Sequence, residues 1–208
     1  MKCLFLHGLG QNQLSWSSVI ELMDSDLEIE CLDLFGMCKN SGEYSYLYKV
    51  LNEYCENIDE PFILIGLSLG GVLALNYMIE NRNKVKGAVL IGARASMPKL
   101  VLKLQNLFFR LLPTSFFSKK KMNKKLIIDL CDSMCELNFS SSLRDINCPV
   151  LVVCGEKDKY NLASAYELHN GIANSELIII SGAGHEVNED KPVELSEVIR
   201  EFVFKNKI

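Results

Sequence analysis

The chain has 208 residues, 49% of them apolar, which suits a single well-filled domain and argues against disorder. A formal charge of −4 argues against a general nucleic-acid binder. The charge is uneven: Arg94 to Lys125 holds nine Lys and Arg and no acid, leaving 13 basic and 26 acidic side chains elsewhere.

Short apolar runs alternate with helical patterns along the chain. Cys3–Leu6, Glu28–Leu32, Phe62–Ile65, Val85–Ile91, Val150–Cys154 and Glu176–Ile180 read as strands, bounded by Gly, Pro or Asp. Most are continuously apolar, as central parallel strands covered on both faces should be. Helical spacing links Leu47, Val50, Leu51 and Tyr54, then Val72, Leu75 and Ile79, and finally Leu195, Val198, Ile199 and Phe202. Pro192 suits the first turn of that last helix. The alternation predicts an α/β fold: a doubly wound, mainly parallel sheet of about six strands with helices on both faces. Ligands of such sheets bind at the carboxyl ends of the strands.

Residues 93–147 break the alternation. They hold an apolar-basic helix over Leu100–Leu112, a turn at Pro113, a lysine run and a second helix around Leu126–Cys135. The whole chain, 1–208, therefore reads as one domain, with 93–147 as a helical lid insert over the site. The eight cysteines are too sparse for a disulfide scaffold and read as reduced cytoplasmic thiols. The opening apolar run is too short for a signal peptide, and no apolar stretch reaches the ~18–20 residues of a spanning helix. A cytoplasmic location is the expectation.

Three loops carry the chemistry. Gly66-Leu67-Ser68-Leu69-Gly70-Gly71 lies between a buried strand and a helix, the setting of a nucleophile elbow. The turn is tight, so Ser68 needs small neighbours, and Gly66 and Gly70 supply them. The fifth strand runs into Gly155-Glu156-Lys157-Asp158, and the sixth into Gly182-Ala183-Gly184-His185. Ser68, Asp158 and His185 thus share one rim in the order Ser, Asp, His. The expected roles are nucleophile, imidazole-orienting acid and general base. The backbone N–H groups of Leu9, in His7-Gly8-Leu9-Gly10, and of Leu69 are the expected oxyanion donors. Glu156 and Asp145 are weaker rivals for the acid. His7 reads as a structural loop residue and His169 as a half-buried helix residue. No third glycine completes a dinucleotide motif after Gly8-x-Gly10, since Gln13 stands there.

With Leu32-Asp33-Leu34-Phe35-Gly36 added, these segments resemble the α/β-hydrolase superfamily over essentially the whole chain. The resemblance implies a serine hydrolase that cleaves an ester or similar acyl bond of a small or medium substrate through an acyl-enzyme. It implies no metal and no cofactor, and a small-molecule acyl substrate as the partner. Thioesterase, acyltransferase and non-catalytic binding members of the fold stay open as alternatives. Two departures stand out: the family's usual leading β-hairpin is missing, and the Asp33 loop lacks the histidine found in many relatives. The basic stretch has three open readings: a solvated lid face, an anchor for an acidic substrate tail and, not favoured, a membrane-surface contact. Acyl chain length and oligomeric state are not encoded legibly.

Overall fold

The structure is a computed structural model that describes residues 1–38, 41–114 and 123–206. Six strands form one sheet: β1 (Lys2–Leu6), β2 (Glu28–Leu32), β3 (Phe62–Leu67), β4 (Val85–Ile91), β5 (Val150–Gly155) and β6 (Ser175–Ile180). Their order is β2-β1-β3-β4-β5-β6, and every neighbouring pair is parallel. This is the α/β architecture that the alternation predicts.

The sheet separates two cores because successive side chains leave a strand on opposite faces. Leu4, Leu6, Leu64, Leu90 and Val152 point to one face. There, beyond the short α2 (Leu34–Met37), they meet α3 (Tyr44–Glu56), whose buried stripe is Tyr44, Leu47, Leu51 and Cys55. They also meet α4 (Leu69–Glu80), which is buried without a break from Leu69 to Met78. Cys3, Phe5, Ile63, Ile65, Val89 and Val153 point to the other face. Trp16, set on a 3₁₀ turn over Gln13–Trp16 that leads into α1 (Ser17–Ile20), stands edge-on to Phe5 with ring centroids 5.1 Å apart. The closing helix covers the same face with Leu195, Ile199 and Phe202, and Pro192 is in its first turn. Truncating a fully buried residue such as Leu64 to Ala would cost about 2–5 kcal/mol.

Among the described residues, the connection from β4 to β5 holds α5 (Lys99–Leu111) and α6 (Lys124–Met134), which lie against each other, and a 3₁₀ turn over Ser140–Asp145. Among the described residues this connection forms no strand, only a single antiparallel bridge between Ser96 and Asn138. The expected lysine run, Lys119 to Lys121, lies outside the described residues. Leu104, Leu107, Phe108 and Leu111 of α5 are all exposed. The inward row is Leu102, Asn106 and Phe109, one helical face away. Asn106 fixes this orientation by donating to the Ile128 carbonyl at 3.0 Å and to Asp132.

Candidate active site

β3 ends at Leu67 and α4 begins at Leu69, which leaves Ser68 alone in the turn. Ser68 has φ 52° and is the sole non-glycine residue of positive φ among the described residues. Such a backbone costs a non-glycine residue of the order of 1–3 kcal/mol, so the surroundings must impose it. They do so by close approach. A Cβ at Gly66 would stand 2.4 Å from the Gly70 carbonyl, and a Cβ at Gly70 would stand 2.1 Å from the Leu6 carbonyl oxygen. Both obstacles are backbone, so neither can yield. The Ser68 N–H donates to the Ile91 carbonyl at 2.8 Å and pins the turn to β4.

Asp158 and His185 come from the loops after β5 and β6. His185 Nδ1 lies 2.6 Å from Asp158 Oδ2, and the Asp158 side chain is almost fully buried while His185 is 40% exposed. Asn161, three residues after Asp158, donates from Nδ2 to both carboxylate oxygens at 2.9 and 2.8 Å. Burial alone would raise the Asp158 carboxyl, but the bonds from His185 and Asn161 outweigh it and hold it below its ordinary value. Asn161 Nδ2 also stands 3.0 Å from His185 Nδ1. With the Nδ1 proton directed at Asp158, these are two donors sharing one carboxylate. His185 Nε2 is then the nitrogen left free.

Ser68 and His185 both line one cavity of about 340 Å³, with Leu9 and Leu69 in its wall. Leu102 of α5 and Leu130, Cys131 and Met134 of α6 supply much of its apolar surface. Leu69 opens α4, so its N–H has no acceptor within the helix. The Leu9 turn is held from both sides. The Gly8 carbonyl accepts from His7 Nδ1 at 2.9 Å and from the Gln11 N–H at 3.2 Å. Gln11 Nε2 donates to Asn188 Oδ1 at 3.2 Å and to Glu189 at 3.1 Å, just beyond His185 in the chain.

The remaining sequence candidates have other duties. His7 is fully buried and accepts the Leu34 N–H at Nε2, 3.1 Å away, so it is neutral and ties the Leu9 loop to the Asp33 loop. Burial lowers its pKa, against a smaller raising effect of the Gly8 bond. Glu156 accepts from Ser181 Oγ and the Gly182 N–H at 2.9 and 2.8 Å. Asp145 pairs with Arg82 at 3.1 Å. His169 is half-buried, with Nδ1 3.0 Å from Ser175 Oγ. Sequence reasoning missed Gln11, Gly92, Arg94, Asn161 and Asn188. Only Asn161 had a local signal, its place one turn after Asp158.

Comparison with known proteins identifies the family of the fold. The model of the alpha/beta hydrolase family matches residues 3–198. The uncharacterized hydrolase YugF of Bacillus subtilis is 24% identical over 240 residues, covering 95% of this chain and 88% of that protein. A pimeloyl-[acyl-carrier protein] methyl ester esterase of Wigglesworthia glossinidia brevipalpis is 32% identical over 92 residues, 43% of this chain and 35% of that protein. MenH from S. aureus superposes with a TM-score of 0.85 at 18% identity, covering 100% of this chain and 95% of that one. From residue 3 to residue 198, the chain belongs to the alpha/beta hydrolase family.

Proposed function

We propose that the protein is a serine hydrolase that cleaves an ester of a small or medium acyl substrate. Ser68 Oγ attacks the scissile carbonyl while His185 Nε2 takes its proton. Asp158 holds the imidazole by its Nδ1–H and stabilises the cation. The oxyanion accepts from the Leu9 and Leu69 N–H groups. Removing one such donor commonly costs about 2.7–4 kcal/mol. The C–O bond breaks, the alcohol leaves with the proton from His185, and the acyl group stays on Ser68. Water, deprotonated by His185, then releases the acid.

One observation carries this reading. The strained Ser68 shares a cavity with an imidazole whose other nitrogen is 2.6 Å from a buried carboxylate. A cavity of about 340 Å³ fits a small acyl group. Ester hydrolysis is also what the name of the Wigglesworthia relative states. The reading includes residues 93–147 as a lid and a cytoplasmic location, the latter supported by eight free thiols. No helix among the described residues is long and apolar enough to cross a membrane.

A fluorophosphonate probe and p-nitrophenyl acetate and butyrate test the mechanism. Folded protein should be labelled at Ser68 and should turn over at least one ester, and Ser68→Ala should lose both. No label and no turnover in folded protein would favour a binding member of the fold.

A further inference from the structure

The described basic residues between Arg94 and Lys125 have distinct partners. Lys99 pairs with Glu136, Arg110 with Asp132 at 2.8 Å, and Lys125 with Asp129. Lys124 Nζ donates to the carbonyls of Arg110 and Leu112, and Lys103 is exposed. Arg94 differs from all of these: it lines the cavity that holds Ser68 and His185.

In that cavity Arg94 is held by neutral groups. Its Nε donates to Asn161 Oδ1 at 2.6 Å, and one Nη donates to the Tyr160 carbonyl. None of the ion pairs among the described residues includes it. A guanidinium has five N–H donors, so with two spent about three remain. Its loop is fixed as well: the Phe139 N–H donates to the Ala95 carbonyl at 2.7 Å, and the Met97 N–H to the Leu137 carbonyl at 3.1 Å. Burial opposes the charge of Arg94, yet a guanidinium stays protonated in a protein. The Asp158 and Glu167 carboxylates favour its charge from a distance, but among the described residues none of the ion pairs takes up the fork of this fixed, half-buried cation. Planar two-oxygen anions match its fork.

We infer that the cavity takes an acyl substrate bearing a second, free carboxylate, which Arg94 holds while the ester carbonyl meets Ser68. The ester part rests on the function proposed above; the anion site does not. The natural substrate class is then a half-ester of a dicarboxylic acid.

Two measurements test this separately. The first is calorimetric titration of Ser68→Ala protein with monoethyl adipate and with ethyl hexanoate, a neutral ester of equal acyl length. The half-ester should bind about tenfold or more tightly, the range of a charge-assisted bond. The preference should vanish in Ser68→Ala/Arg94→Gln and partly return with Arg94→Lys. Equal binding of the two esters overturns the inference, whether or not the wild type hydrolyses either. The second is hydrolysis by wild type and Arg94→Gln, followed in a pH-stat. The ratio of kcat/KM for the half-ester to kcat/KM for ethyl hexanoate should fall about tenfold or more in Arg94→Gln. An equal fall in kcat on both esters would make Arg94 a positioning residue acting through Asn161. If Arg94→Gln does not fold, the wild-type and Ser68→Ala comparisons still decide. Selective binding without any turnover would sink the esterase reading and leave the anion site standing.

Discussion

Gly92 and His185 are in direct contact. A Cβ at residue 92 would stand 3.0 Å from His185 Cε1 and 3.1 Å from Nδ1, and Gly92 itself has φ 54°. The end of β4 therefore forms the floor on which the imidazole rests. Gly92→Ala meets both obstacles. It should lose about 1–2 kcal/mol of stability from the left-handed backbone. It should also lose about a hundredfold in kcat/KM from the displaced imidazole. Urea unfolding and ester kinetics would show this. Wild-type activity in Gly92→Ala would mean that His185 is not held from below.

The strain at Ser68 sets activity against stability. Glycine tolerates φ near 52° without a Cβ penalty, so Ser68→Gly should unfold at higher urea, by about 1 kcal/mol. The same variant should take up no fluorophosphonate. Ser68→Ala keeps the Cβ and should show no such gain. Equal stability of the two variants would argue that the turn is not strained.

Against its burial, His185 first and Asn161 second hold the Asp158 carboxyl below its ordinary value. Asn161→Leu removes two donors from a buried carboxylate and should cost about 1–3 kcal/mol. The Asp158 carboxyl should rise toward its ordinary value. A group of depressed folded pKa contributes stability above its unfolded value and loses it as pH falls through the folded one. The acid limb of stability should therefore move to higher pH in the variant, as melting temperature against pH would show. An unchanged limb would place the control of Asp158 elsewhere.

His7 gives a second pH window. Its folded pKa is lowered, chiefly by burial, so the unfolded chain takes up its proton first as pH falls. Stability should decline below about pH 6.5, the ordinary histidine value. The decline should be shallower in His7→Gln, even though that variant starts less stable. Melting temperature between pH 7.5 and 5 measures it, and parallel curves for the two proteins would exclude His7 as the cause.

Cys131 lines the cavity, and burial pushes its thiol up to about 12. It should resist iodoacetamide at neutral pH in folded protein, and Cys131→Ser should keep whatever turnover of the proposed ester substrates the wild type has. Loss of turnover in that variant, with Ser68 still labelled, would show that the thiol shapes the pocket.

The sheet was legible because its strands are covered on both sides. Glu28–Leu32 and Val85–Ile91 are as the apolar runs suggest. β3 runs on past Ile65 to Leu67, because Gly66 reads as punctuation in a sequence yet sits in register with Leu6. Ser68, Asp158 and His185 stood out because glycines flank their turns. Gly92, Arg94 and the Gln11–Asn188 bond did not, since each acquires its role from a partner far away in the chain. Which face of α5 turns inward is not legible for a related reason. Both of its long faces are apolar, and only Asn106, bonded across to α6, decides which one turns inward.

The bridge between Ser96 and Asn138 closes the helical connection at its base, since both ends of residues 98–136 leave the body at one point. Between those ends α6 is built into the body, since Leu130 and Met134 belong to the core of that face and the Tyr44 N–H donates to Ser133 Oγ at 2.8 Å. Substitutions in the outer row of α5, Leu104, Leu107, Phe108 and Leu111, should therefore disturb the sheet and its rim least.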